Sequence, residues 1–141
     1  MKTAAILVAR LIFAFVFGMA AVFKFVDMPA TATYIAAINF PAPLLFAWLA
    51  ALFEVALVVA FLTGLYFREA ALLAAAYVLF LAFAFHGPSH WTGNQMEFGF
   101  FVDHFSFIAG LLFAFAQGPG DKMILQRRGA ANKFEERENG Q

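Results

Sequence analysis

Four long apolar runs occupy most of this 141-residue chain, roughly residues 3–25, 41–63, 69–85 and 98–116. At a rise of about 1.5 Å per residue, about 20 apolar residues cross a hydrocarbon layer about 30 Å thick. A domain this small has no interior able to bury four such segments. The expected fold is therefore all-α, an integral membrane four-helix bundle. Residues 1–120 would form the four-helix transmembrane domain and residues 121–141 a charged cytoplasmic tail. Arg10, Glu54, Asp103 and His104 lie inside the runs. An ionisable group in lipid costs several kcal/mol, so each of them needs a partner or a task.

Composition narrows the function classes. Hydrophobic residues make up 64% of the chain and charged residues 13%, with a formal net charge of zero. No basic surface is available for nucleic acid. The 21 phenylalanines either fill lipid-facing ridges or line an apolar ligand cavity. Cysteine is absent, which excludes a dithiol relay, a thiolate metal site and a Cys nucleophile. No cofactor is encoded, so the electrons of any redox role would move through a bound cofactor or a partner, and the bundle is left open to a bound quinone or lipid.

The start, Met1-Lys2-Thr3 and then an apolar run, is similar to a signal peptide. Arg10 interrupts that run, and the run outlasts a signal core, so we read it as the first transmembrane helix. Lys2 precedes helix 1, Arg68 sits in the short link 64–68, and Lys122, Arg127, Arg128, Lys133 and Arg137 follow helix 4. The other two connections hold only Lys24. This asymmetry predicts a multi-pass membrane protein with both termini and the short link cytoplasmic. The segments 26–40 and 86–97 then face the opposite side.

In the first of these segments, Asp27 is expected to cap a short interfacial helix between helices 1 and 2, with Pro29 in its first turn. That helix would run to about Ile38 and present Tyr34, Ile35 and Ile38 as its apolar side. It would lie on the membrane surface or fold over the mouth of the bundle. The stretch 86–94 is rich in turn formers, with Trp91 as a headgroup anchor and Tyr66 in that part on the inner side.

Helical geometry places the polar residues. At about 100° per residue, Arg10, Ala14, Phe17, Ala21 and Lys24 share a face of helix 1. Ala47, Ala50, Glu54, Val58 and Phe61 do so in helix 2, and Asp103, Phe107, Gly110, Ala114 and Gln117 in helix 4. Helix 3 offers the small stripe Ala71, Ala74 and Ala75. These faces are expected to point inward. Counted from the cytoplasmic helix ends, Arg10 and Glu54 lie at similar depth, so an intramembrane Arg10–Glu54 ion pair is expected. Such a pair would be a bundle staple or a polar floor under a ligand. Lys24, His86, Asp103 and His104 would gather at the outer mouth. They would either hold a ligand head group there or rest as wetted residues at the interface. His86 and His90 are spaced like helix neighbours, but Pro88 between them breaks the turn, so no metal site is expected.

The ordered features of the chain resemble the DoxX family of bacterial four-helix inner-membrane proteins. The resemblance rests on Arg10, Gly18 and Lys24-Phe25 in helix 1, and on the Pro41–Pro43 start and Phe53-Glu54-Val55 in helix 2. Gly64-Leu65-Tyr66-Phe67-Arg68 is similar to the family's Gly-Leu-x-Thr-Arg link, with Phe67 in place of the small polar residue. His86 closes helix 3 and Gly118-Pro119-Gly120 closes helix 4. After that glycine the chain continues Asp121-Lys122-Met123-Ile124, where relatives commonly carry Ser-Leu-Asp. The resemblance implies a subunit of a membrane oxidoreductase system. Relatives include a thiosulfate:quinone oxidoreductase subunit and part of a complex for oxidative-stress resistance.

Two functional classes follow. One is an accessory, redox-linked membrane subunit that binds quinone or lipid and works with a membrane or soluble oxidoreductase. The other is a non-enzymatic scaffold or carrier, similar to distantly related cargo receptors. Both keep the lipid bilayer as a partner, exclude nucleic acid and leave oligomerisation open. Stand-alone catalysis is disfavoured because no electron carrier is encoded.

Overall fold

The computed structural model of the chain describes residues 2–125. Of the expected charged tail, residues 126–141, including Arg127, Arg128, Lys133 and Arg137, lie outside the described residues. The described chain is all-helical: α1 (Lys2–Val26), α2 (Met28–Ala36), α3 (Pro43–Thr63), α4 (Phe67–His86) and α5 (Gln95–Gln117), with one 3₁₀ turn, Pro88–His90. Four of these helices are long and apolar enough to cross a membrane. The short α2 lies between the first two spans, as expected.

Local chemistry sets the boundaries. The Asp27 side chain accepts from the Ala30 amide at 2.9 Å, and Pro29 sits in the first turn of α2. This helix stops at Ala36, two residues before the expected Ile38, and the following chain turns through Asn39 with φ 56°. α5 begins earlier than its apolar run because Asn94 caps it, accepting from the Met96 amide at 3.2 Å. α3 ends at Gly64, whose φ of 74° is the left-handed conformation that glycine adopts freely.

The spans pack as two antiparallel pairs, α1 against α3 and α4 against α5, with α2 laid across α3. Small residues permit close approach. Ala47, Ala51, Ala71, Ala74 and Ala82 are fully buried, and a Cβ added at Gly18 would lie 3.7 Å from Val58. The two pairs are joined by an aromatic cluster. Phe13 lies 5.4 Å from both Phe61 and Phe107, and Phe17 stacks on Phe61 at 5.9 Å, centroid to centroid. Phe61 also meets Phe67 edge-on at 5.6 Å. This cluster closes the half of the bundle nearest the α3–α4 turn.

The inward faces expected for helices 1 to 3 are buried except at Lys24, Ala50 and Val58, which are half-buried. α5 differs: of its side chains only Leu111 is fully buried, and Asp103 and Gln117 are exposed. α5 closes the bundle along a narrow line and leaves most of its circumference outward.

Candidate functional site

Two polar centres are buried at different depths, and each has its own cation. Arg10 is 1% exposed and donates all five of its guanidinium N–H groups to backbone carbonyls. Nε reaches Phe61 O at 2.9 Å, and Nη1 reaches Pro119 O at 3.1 Å and Lys122 O at 2.6 Å. Nη2 reaches Leu62 O at 2.8 Å and Met123 O at 2.9 Å. The Leu125 amide donates to Thr63 O at 3.0 Å. The carbonyls left open at the C-terminus of α3 are thereby satisfied, and a guanidinium sits at the negative end of the helix dipole. The same contacts tie residues 119–125 to the bundle. Arg10 is a staple, but one that binds backbone rather than a carboxylate.

The expected Arg10–Glu54 pair is therefore corrected. Glu54 is bound by Lys24, whose Nζ lies 2.7 Å from Oε1 and 2.9 Å from Oε2. The cause is helix register. Arg10 stands beside Phe61 and Leu62, so the first turns of α1 project past the end of α3. Glu54 is then about two turns, roughly 10–12 Å, further along the bundle, beyond the reach of Arg10. Lys24 approaches Glu54 from the other side and folds back along α1, its Nζ lying 3.4 Å from Ala20 O.

Tyr77 completes this second centre, donating its phenol to Glu54 Oε1 at 2.9 Å. The sequence reading passed over Tyr77 because it carries no charge at neutral pH. The available signal was that it is the one hydrogen-bonding side chain in the middle of the run 69–85. Glu54 is 1% exposed, so its carboxylate is held by two donors with no water needed.

Above this triad, towards α2, lies a cavity of about 530 Å³. Lys24 and Tyr77 face it from the floor, and Phe46, Phe53, Phe80 and Phe85 supply aromatic walls. α2 and the following loop cover it with Tyr34, Ile35, Ile38 and Phe40. Met28 and Ile35 anchor α2 on Ala47 and Ala51, while Tyr34 stacks on Phe85 of α4 at 4.7 Å. Of the alternatives left open, α2 therefore takes the place over the bundle mouth. Burial, and then the Glu97 carboxylate, push the Tyr34 phenol above its ordinary pKa, so it is a neutral group at physiological pH.

His86 and His104 line the rim of the cavity, their ring centroids 5.1 Å apart. His86 Nδ1 lies 2.6 Å from Glu97 Oε2. His104 Nδ1 donates to Phe100 O at 2.6 Å. Trp91 donates to His86 O at 2.8 Å and packs on Phe98 and Phe101, so it ties the α4–α5 connection together. Of the four residues expected at the outer mouth, the structure brings Lys24, His86 and His104 to one cavity. Asp103 is exposed and lines no part of it. One residue along a helix is about 100° around it, so His104 inward turns Asp103 away. Among the described residues, no group of three His, Asp or Glu is placed to hold a metal ion.

Four membrane-length helices around an apolar cavity with a charged floor define a multi-pass membrane protein with a ligand-sized interior site. The profile of the DoxX family matches residues 5–87, and the chain belongs to the DoxX family. The matched segment takes in α1 from residue 5 onward and all of α2 to α4, hence Lys24, Glu54, Tyr77 and His86, while His104 on α5 lies outside it. No curated protein and no solved structure matches the chain.

Proposed function

We propose that this DoxX-family protein binds a lipid-soluble quinone in the α2-end cavity and serves as the membrane subunit of a redox-linked complex. The observation that carries this reading is the pairing of an aromatic-walled space of about 530 Å³ with a floor of Lys24 and Tyr77, both bound to the buried Glu54. That volume falls in the usual range of small-molecule sites, about 300–1,000 Å³. A quinone ring suits such walls, and its carbonyl oxygens suit the ammonium and phenol donors. His86 and His104 at the rim add groups able to exchange protons with a reduced ring. The Lys and Arg asymmetry supports cytoplasmic termini with the α2 end outside, and the family membership supports a bacterial inner-membrane location. Electrons would come from a partner oxidoreductase.

The test is extraction of the protein from its native membrane, with quinone content measured by mass spectrometry. Bound quinone near one per chain in the parent, and much less in Tyr77→Phe, is the expected result. Quinone at the level of bulk lipid in both proteins would remove the reading. The scaffold reading draws on α5, whose membrane window is only 6% buried against 28–39% in the other spans, which leaves a face for another membrane protein. A partner copurifying with an empty cavity would favour it.

A further inference from the structure

The cavity is not fully enclosed by the bundle. Phe46, Leu49 and Phe80 line it, yet they are 36%, 49% and 47% exposed. Such exposure, at side chains that also line the cavity, places them at its open edge rather than in a sealed wall. These three residues flank the cleft between α3 and α4. The two helices share close contacts near their connecting turn, through Phe61 and Phe67, and at the triad, through Glu54, Phe53 and Tyr77. Towards α2 the gap is spanned by a ring from neither helix. Phe40, in the α2–α3 loop, lies 4.7 Å from Phe46 and 5.8 Å from Phe80, edge-on to both.

The backbone around Phe40 is unusual. Asn39 has φ 56° and Ala42 has φ 46°, so left-handed residues stand on both sides of Phe40-Pro41. For alanine this region is disfavoured by its Cβ. Phe40 is thus carried on a short segment bounded by two turns, rather than fixed on a helix. Leu49 and Phe80 lie within membrane-length helices, where the outside of a span would meet hydrocarbon.

We infer that the α3–α4 cleft is a lateral passage from the bilayer to the cavity, gated by Phe40, and that the ligand is a ring compound bearing an isoprenoid tail. The ring rests above Lys24 and Tyr77. The tail leaves between Phe46, Leu49 and Phe80 into the lipid, with Phe40 displaced from the gap. This rests on the quinone reading above and adds the tail and its route. The tail moves from one apolar medium to another, so its selectivity comes from packing in the cleft rather than from leaving water.

The test uses the full chain in lipid nanodiscs and two probes: a methyl-substituted 1,4-benzoquinone without a tail, and the same ring with two isoprene units. Affinities are compared at equal mole fraction in the lipid. The parent should bind the tailed probe about tenfold more tightly. Leu49→Trp, which narrows the cleft at a half-exposed position, should weaken the tailed probe more than the tailless one and so cancel that advantage. Phe15→Trp, on the lipid face of α1 and 64% exposed, should change neither. A diazirine at the tail end should label α3 and α4 on the cleft side in the unmodified protein. Equal binding of the two probes by the parent, or labelling confined to α1 and α5, would overturn the lateral passage and leave the quinone site standing. If neither probe binds the parent, the quinone reading falls and this inference falls with it.

Discussion

Lys24 and Glu54, thirty positions apart in the chain, form a two-pronged ion pair at 2.7 and 2.9 Å in the middle of the bundle. The Glu54 side chain is almost wholly enclosed, and Tyr77 occupies a further site on the same oxygen as the shorter Lys24 contact. This pair makes the cavity floor both polar and neutral overall, the condition under which charges persist within a membrane.

Glu54→Ala should destabilise the protein by about 3–5 kcal/mol, because it leaves the Lys24 ammonium and the Tyr77 phenol without their acceptor. Glu54→Gln should cost less, since an amide oxygen still accepts. The double change Lys24→Met with Glu54→Met should recover much of the loss. Arg10→Leu with Glu54→Leu should be worse than either single change. Thermal unfolding in detergent reads all four. Recovery in the Arg10 double variant would contradict the observed pairing.

Arg10→Lys should cost about 3 kcal/mol despite keeping the charge, because three ammonium donors cannot reach five carbonyls held in a planar fork. The loss has an address. Amide hydrogen exchange should rise at Leu125, whose N–H meets Thr63 O, and across residues 119–125, more than in α2. Uniform change along the chain would argue against a local tie.

Tyr77→Phe removes one hydrogen bond and should lower stability by only about 1 kcal/mol. Its effect on quinone content should be much larger than its effect on folding. A variant that unfolds as much as it loses ligand would reassign Tyr77 to a purely structural part.

Asp103→Asn should leave quinone binding as in the parent, because Asp103 is turned away from the cavity. His104→Gln should weaken binding, since His104 lines the cavity. Binding isotherms of the two variants and the parent make the comparison. Weakened binding in Asp103→Asn alone would move the site towards the outer face of α5.

Alkaline pH should loosen α2. The Tyr34 phenol has a pKa raised by burial and by Glu97, so the folded state holds its proton more tightly than the unfolded chain does. Its contribution is fully present below the unfolded value, about 10, and is lost as pH rises through the folded value. Tyr34→Phe should remove that alkaline loss. Proteolysis in the α2–α3 loop followed from pH 9 to 11.5 is a suitable measurement, and identical profiles for the two proteins would count against the linkage.

Hydropathy and spacing already determined the number of spans, the inward faces of the first three and the short capped helix before Pro43. Each follows from distances along one chain: 1.5 Å per residue, 100° per residue, and a carboxylate three positions before an open amide. The sequence alone also required that Arg10 and Glu54 be neutralised or hydrogen-bonded, because lipid offers no solvent for charge. What neutralises them depended on the axial offset between α1 and α3, which no local pattern encodes. That offset carried Arg10 to the carbonyls ending α3 and brought Lys24 down to Glu54. The tertiary structure likewise recruited Tyr77 and turned Asp103 outward. Both outcomes depend on how neighbouring helices are rotated and shifted against each other, and that is settled by packing of the whole bundle rather than by any single segment.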